Sequence, residues 1–297
     1  RIRLVTNTGQ NLRLHPETGA IAAVDMNIAT ASSIMGIAYT NSFSGAASTI
    51  LYDLDATSGK LFNLNYKQLI AIGAAVECMH SYSLIHDDLP SMDDDDFRRG
   101  KKSTHKVFGE ATAILAGNSL LTLAFEILSS NNININAKSK INLLNALASS
   151  AGHSGIAGGQ YLDLKFEKMR VNKNLIIDMQ NKKTGELISF CTESAAIIAN
   201  KNSHRKFLKR IGLDIGLLFQ ITDDLLDLYG DKNKTGKPTR RDKQKGKATV
   251  IKSLGVNKTI EFCYELLDNI TDKLENKYGS RANSLVDSVN FLLRRDH

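Results

Sequence analysis

The chain has 297 residues, of which 42% are hydrophobic and 23% are charged, a composition that can bury a substantial core and excludes a disordered protein. It contains no Trp and only three Pro, which favours a mostly helical body over a β-rich one. The net charge of +7 fits nucleic acid and a small anionic substrate equally well, but the basic residues lack the interleaved aromatic residues of a nucleic-acid surface, so no nucleic-acid partner is predicted.

The segment 1–64 is predicted to form short strands separated by turns. Three apolar stretches are separated by turns that contain Gly. The apolar stretches are Ile2–Val5, Leu12–Leu14 and Ala20–Val24. This is the pattern of a β-meander. Residues 11–21 and 51–61 resemble each other, and a repeat at that spacing is typical of a propeller blade. The segment weakly resembles an uncharacterised bacterial β-propeller-like repeat, with a β-hairpin appendage that has no function as the alternative.

From Tyr66 onward the apolar residues recur at helical spacing. The predicted helices are Ile70–Ile85, Ala111–Leu128, Ile141–Ala151, Leu175–Asn200, Phe207–Tyr229, Thr259–Tyr278 and Ala282–Leu293. The polar segments 131–137 and 231–247 are predicted to be loops, and we expect the second to close over a substrate. We therefore predict a β-type segment at 1–64, fused or foreign, and a helical domain at 65–297.

The three cysteines, Cys78, Cys191 and Cys263, are scattered and have no metal-ligand spacing. An odd number of separated thiols predicts reduced cysteines in a reducing compartment. The opening Arg1–Val5 lacks the apolar stretch of a signal peptide, and no stretch is expected to span a membrane. These features predict a cytoplasmic protein.

The first cluster of aspartates, at 87–96, comes directly after the first long apolar helix. Asp87 is expected to end this helix, and Asp93 follows a short excursion of the chain. Carboxylates packed this densely repel one another unless hard cations lie between them. Arg98 and Arg99 follow at once, and two guanidiniums beside a metal site suit bidentate binding of phosphate, with simple charge balance as the alternative.

The second cluster, at 223–227, lies on a predicted helix. Asp223 and Asp227 are four residues apart and share one helix face, with Gln220 one turn earlier. For either cluster alone, a solvated acidic face is the alternative. Two clusters that each emerge from an apolar helix instead favour Mg²⁺ ions around a diphosphate, because uncompensated charge beside a core is unfavourable.

Basic residues occur in two further places. Lys183–Gly185 interrupts a helical stretch, and since Gly is unfavourable inside a helix unless it is needed, we predict a local break that exposes carbonyl oxygens. Lys237 and Lys247 lie in the predicted loop at 231–247. They are either surface lysines or contacts to an anionic substrate.

The order and spacing of these segments resemble the short-chain trans-polyprenyl diphosphate synthases, most closely those of the bacterial farnesyl type. The segments that carry the resemblance are Glu77–Asp88, Met92–Gly100, Gly158–Leu164, Lys183–Gly185, Phe219–Asp224, Gly236–Lys237 and Gly246–Lys247. The resemblance covers 66–297. It implies a mainly α protein with the all-helical isoprenoid synthase fold around a central cavity, preceded here by the short β-meander.

The resemblance also implies roles for individual residues. In this family the two aspartate clusters of an active site together hold three Mg²⁺ ions, and these ions bridge an allylic diphosphate. The corresponding metal ligands are Asp87, Asp93, Asp223 and Asp227. The corresponding contacts to the allylic diphosphate are Arg98, Lys183, Gln220, Lys237 and Lys247, and those to isopentenyl diphosphate are His80 and Arg99. Carbonyl groups near Lys183 and Thr184, with the amide of Gln220, would stabilise a carbocation.

Product length is the last property that the resemblance addresses. The helix before Asp87 lines the elongation cavity in this family, which places Tyr82 at the floor of that cavity. The expected reaction joins dimethylallyl or geranyl diphosphate to isopentenyl diphosphate and gives the fifteen-carbon farnesyl diphosphate. A ten-carbon product is the alternative.

The resemblance fails before Tyr66. The family has helices there with a Gly-Gly-Lys-x-x-Arg-Pro motif that binds isopentenyl diphosphate, and no such motif occurs in this sequence. Three functions therefore stay open: a prenyltransferase, a catalytically impaired diphosphate-binding homologue, and a terpene cyclase-like enzyme. A homodimer also stays open, because the helices that are replaced belong to the family's dimer surface.

Overall fold

The computed structural model describes residues 2–5, 11–14, 21–25, 62, 64, 66–98, 100–229 and 246–294. Three strands precede the helices: Ile2–Val5 (β1), Asn11–Leu14 (β2) and Ile21–Asp25 (β3). They pair antiparallel in the order β1-β2-β3, with a register shift between Arg13 and Leu14. The predicted β-meander is confirmed. The propeller interpretation and the division at 64/65 stay predictions.

The rest of the described chain consists of helices, the loops that connect them and one short hairpin. The hairpin pairs Phe97–Arg98 (β4) with Lys101–Lys102 (β5). The helices are Tyr66–Asp87 (α1), Thr104–Phe108 (α2), Glu110–Ser129 (α3), Ala137–Ala151 (α4), Ile156–Phe166 (α5), Lys173–Gln180 (α6), Glu186–Ile198 (α7), Asn202–Tyr229 (α8), Val250–Leu254 (α9), Val256–Tyr278 (α10) and Asn283–Arg294 (α11). A π-helical turn, Asn181–Gly185, joins α6 to α7, and a 3₁₀ turn, Gly279–Ala282, joins α10 to α11. The predicted mainly α, all-helical fold is confirmed.

Two clusters of buried apolar side chains hold the helices together. One lies among α1, α3, α4 and α7, and the other among α6, α8, α10 and α11. Helix α7 contributes to both clusters. Its Phe190 is fully buried in the cluster with α1, α3 and α4, and its Ile188 is buried in the cluster with α6, α8, α10 and α11. Phe62 and Leu64, which come just before α1, also pack against this core. Burial of these faces removes a large apolar area from water and is the main stabilising contribution.

Several helix boundaries differ from the predictions. The stretch Leu175–Asn200 is not one helix but α6, the π turn and α7. Helix α5 was missed because its two adjacent glycines resemble a turn. The predicted loop at 131–137 ends at Asn136, whose side chain caps α4 by accepting a hydrogen bond of 2.9 Å from the Ser139 amide. Most of the predicted loop at 231–247 lies outside the described residues.

Two helices are notable for their apolar character. By length and composition, Lys67–Asp87 and Glu110–Ser129 could each cross a membrane, contrary to the expectation that no stretch approaches a span. They pack against each other, and the first of them ends in the aspartate cluster. A helix that belongs to a packed core meets the same test of length and composition. The absence of a membrane partner therefore stays a prediction.

Candidate active site

The first aspartate cluster is folded back onto the end of α1. The amide of Asp93 donates to the carbonyl of Asp87 at 2.8 Å, which brings the two carboxylates to one place. Burial raises the pKa of Asp87, with Asp93 adding to the effect, while nearby Lys183, Arg98 and Lys247 oppose it. The predicted pair Asp87 and Asp93 is therefore a partly desolvated anionic site that is surrounded by cations.

Arg98 is held by two other aspartates of the same cluster. Its Nε donates to Asp88 Oδ1 at 2.9 Å, its second guanidinium nitrogen contacts the same oxygen, and Asp95 lies 3.7 Å away. Both carboxylates are buried, and burial raises the pKa of Asp88 although Arg98 opposes the shift. This pairing fixes the guanidinium beside the cluster. Its predicted contact with a diphosphate stays a prediction, and the neighbouring Arg99 lies outside the described residues.

Two predicted substrate lysines converge on one carboxylate. Asp163, on α5, accepts hydrogen bonds from Lys183 Nζ at 2.6 Å and from Lys247 Nζ at 3.0 Å. Lys247 also lies 3.4 Å from Asp93. Burial alone would raise the pKa of Asp163, but the two ammonium groups hold it below its ordinary value. The arrangement presents two positive charges next to the first cluster.

Sequence reasoning assigned no role to Asp163. A signal was present, because Asp163 lies in the segment Gly158–Leu164 that carries part of the resemblance. Its partners are 20 and 84 residues away in sequence, so no local pattern could identify them.

A π-helical turn lies at the predicted break, Lys183–Gly185, and the exposure of its carbonyl oxygens stays a prediction. Two helices approach the turn so closely that only Gly fits. A Cβ on Gly159 of α5 would lie 2.2 Å from the Lys183 nitrogen, and a Cβ on Gly216 of α8 would lie 2.5 Å from the Gly185 Cα. The turn is thus clamped between α5 and α8. Single π-helical turns of this kind are often found at functional sites.

The π turn is also bonded to the helix that carries the second cluster. Thr184 Oγ1 donates to Gln220 Oε1 at 2.9 Å, and Gln220 Nε2 donates to Asp224 Oδ1 at 2.9 Å. The other oxygen of Asp224 accepts from Gln180 Nε2 at 3.0 Å. Asp224 is therefore buried and occupied in orienting Gln220.

The two predicted metal ligands of the second cluster lie on a more accessible part of α8. Asp223 is exposed and Asp227 is half-buried one turn later. Thr184, in the π turn, is hydrogen-bonded to Gln220 on α8, and the adjacent residue Lys183 lies near Asp87. The geometry therefore links the two clusters through the π turn.

Two of the remaining predicted site residues, Tyr82 and His80, lie on α1. The half-buried Tyr82 ring packs edge-on against His86 with centroids 4.9 Å apart, and burial together with the charge of Asp87 raises the Tyr82 pKa. His80 is half-buried on the same helix. Lys237 lies outside the described residues, so its predicted contact is not addressed.

Comparisons with known proteins agree with this architecture. The family model described as Polyprenyl synthetase matches residues 49–286. A second model, described as a Domain of unknown function (DUF4394), matches residues 1–75. That description mentions no propeller.

Individual relatives cover most of the chain. The farnesyl diphosphate synthase of Escherichia coli (strain K12) is 41% identical over 221 residues, which is 73% of this chain and 74% of the relative. The structure of an FPP/GFPP synthase from Zymomonas mobilis has a TM-score of 0.70 at 37% identity and covers 80% of each chain. A geranyltransferase from Helicobacter pylori, complexed with magnesium and isoprenyl diphosphate, has a TM-score of 0.71 at 29% identity over 81% of this chain and 79% of that one. This chain belongs to the polyprenyl synthetase family.

Proposed function

We propose that the chain is a prenyltransferase that condenses dimethylallyl or geranyl diphosphate with isopentenyl diphosphate to give farnesyl diphosphate. The observation that carries the proposal is the pair Asp87 and Asp93 with Lys183 and Lys247 beside it. A diphosphate with its metal ions needs both kinds of charge: carboxylates for the cations and ammonium groups for the phosphate oxygens.

The carboxylates fit Mg²⁺ as the cofactor. Burial and a neighbouring carboxylate raise the pKa of Asp87, and a bound hard cation would relieve both effects. Asp87 and Asp93 on one side, with Asp223 and Asp227 on α8, would hold the ions, three of them by resemblance to the family. When bound, Mg²⁺ neutralises the departing diphosphate.

The protein's own residues position the reacting groups. Lys183 and Lys247, held by Asp163, bind oxygens of the allylic diphosphate, as do Arg98 and Lys237. Heterolysis of the allylic carbon–oxygen bond leaves a carbocation. The carbonyl groups of the π turn at Lys183 and Thr184 and the oriented amide of Gln220 stabilise it without forming a bond.

The second substrate completes the reaction. His80 and Arg99 bind isopentenyl diphosphate, whose double bond supplies the electron pair for the new carbon–carbon bond. A proton is then lost to the released diphosphate, and the allylic double bond of the product forms. Tyr82 limits the length of the product to fifteen carbons in this proposal.

The test is a comparison of one substrate with two. The purified chain with Mg²⁺ and geranyl diphosphate should release diphosphate and form farnesyl diphosphate only when isopentenyl diphosphate is present. A terpene cyclase-like enzyme would release diphosphate from geranyl diphosphate alone. An impaired homologue would bind geranyl diphosphate in a Mg²⁺-dependent way without turnover, and either result would refute the proposal.

We further infer that two copies of the chain pair through α3. This helix of 20 residues is apolar, yet Ile114, Leu115 and Leu123 are 42%, 65% and 39% exposed. A face of this kind on a long helix suits an isologous dimer. Sedimentation should give a dimer that Leu115→Lys converts to a monomer, and a monomeric wild type would refute the inference.

Two broader expectations belong to the same proposal. Cys78, Cys191 and Cys263 are free thiols, and we propose a cytoplasmic location, where thiols stay reduced. The part of the segment 1–64 that precedes Phe62 is proposed to be a separate unit that the reaction does not use, because Phe62 and Leu64 pack against the helical core. A deletion that ends before Phe62 keeps the two core contacts at Phe62 and Leu64 and should retain activity, whereas loss of activity in a folded deletion variant would contradict this.

A further inference from the structure

Three potential metal ligands lie just beyond the proposed catalytic pair. Asp94 and Asp96 follow Asp93 in the chain, and His105 lies in the short helix α2. One ligand atom from each of the three side chains lies within 4.8 Å of the other two. None of the three has a role in the proposed prenyl transfer.

His105 distinguishes this group from an ordinary acidic turn. Its side chain is only 7% exposed, and its Nε2 is buried with no hydrogen-bond partner among the residues that the structure describes. Its other nitrogen, Nδ1, lies 3.2 Å from Ser103 Oγ. A histidine whose one nitrogen is fixed by a hydrogen bond while the other lacks a partner has the arrangement of a metal-binding imidazole.

The two carboxylates complete the set of ligands. Asp94 and Asp96 are exposed, and Asp96 forms an ion pair of 2.8 Å with Lys106 Nζ. The Lys106 side chain is 40% exposed, and its ammonium group can be displaced into solvent when another cation binds. The site therefore already attracts one cation in the absence of metal.

We propose that Asp94, Asp96 and His105 form a binding site for a divalent transition metal such as Zn²⁺, Co²⁺ or Mn²⁺, separate from the Mg²⁺ ligands of the prenyl transfer site. An imidazole nitrogen with two carboxylates suits these metals, whereas Mg²⁺ prefers oxygen ligands alone. Bonds of about 2.0–2.2 Å require a small contraction of the group, and three protein ligands leave a position for water. Bound metal would fix the turn that follows Asp93.

The test uses Co²⁺ alone as the probe, added to the full chain without an affinity tag and in excess Mg²⁺. We expect one Co²⁺ site with ligand-field absorption. Asp94→Asn should weaken Co²⁺ binding by about tenfold or more. The φ of Asp94 is 49°, a conformation that Asn also tolerates, so this variant keeps the backbone. His105→Gln should have the same effect.

Lys106→Met should change Co²⁺ affinity in the opposite direction from Asp94→Asn and His105→Gln. If the ammonium group competes with metal at Asp96, its removal should strengthen Co²⁺ binding. Asp178→Asn is the matched control, because Asp178 is an exposed aspartate paired with Lys182 at 2.7 Å, and it should leave binding unchanged. Co²⁺ binding that is unaffected by Asp94→Asn, or that is lost only in Asp223→Asn, would overturn the proposal.

Discussion

Asp163→Asn is the substitution that most sharply tests how the site is held together. It removes one negative charge and keeps the shape of the side chain. In the structure this carboxylate accepts hydrogen bonds from the Nζ atoms of Lys183 at 2.6 Å and Lys247 at 3.0 Å, and all three side chains are at most 22% exposed. Loss of the charge should leave both lysines poorly positioned for the diphosphate.

The size of the effect follows from the two contacts. A hydrogen bond between charged groups contributes about 1.5–3 kcal/mol, and since both lysines share one carboxylate we take one such contribution and not two. At about 1.4 kcal/mol per tenfold change in rate, kcat/KM for geranyl diphosphate should fall roughly 10- to 100-fold.

Steady-state kinetics with varied geranyl diphosphate measure this fall, and circular dichroism confirms that the variant is folded. Asp178→Asn is again the matched control, because it breaks an ion pair of 2.7 Å with Lys182, a residue of the π turn whose side chain has no proposed contact with either substrate. An unchanged kcat/KM in folded Asp163→Asn, or an equal fall in Asp178→Asn, would refute the positioning role.

Three other predictions use different parts of the structure. Tyr82→Ala should shift the products beyond fifteen carbons in chromatography of the dephosphorylated products, and an unchanged distribution in an active variant would contradict the role of Tyr82. Gly159→Ala should lower the melting temperature by destabilising the fold by about 1–3 kcal/mol or more, because its Cβ would lie 2.2 Å from the Lys183 nitrogen; Gly73→Ala, with nothing within 4 Å, is the control. Because the pKa of Asp163 is lowered in the folded chain, the charged carboxylate stabilises the fold above the ordinary Asp pKa of about 3.9, and this stabilisation is lost as pH falls below that value. Asp163→Asn should therefore lose less stability on acidification than the wild type. Parallel acid-unfolding curves of the two proteins would contradict this.

Local sequence patterns were sufficient for the parts of the site that depend on one element. The apolar run that ends at Asp87 predicted α1 and the position of the first cluster, and a Gly inside a helical stretch predicted the break that is the π turn. These features follow from helix periodicity and from the conformational preference of Gly. Both act within a few residues along the chain.

Features that depend on distant contacts could not be predicted in the same way. Asp163 gains its role only because α5 packs against the π turn, and the glycine that allows this approach, Gly159, made α5 resemble a loop. Arg98 is bound by Asp88 and Asp95 within its own cluster, which the order of residues did not reveal. Packing decides which charges meet, and no single local pattern records it.

Transfer of label from isopentenyl diphosphate into product is the decisive measurement of prenyl transfer by this chain. With isotopically labelled isopentenyl diphosphate, unlabelled geranyl diphosphate and Mg²⁺, the chain should form farnesyl diphosphate that carries one labelled five-carbon unit, and Asp87→Ala should abolish the incorporation. A folded wild-type chain that binds geranyl diphosphate with Mg²⁺ and incorporates no label would rule out prenyl transfer.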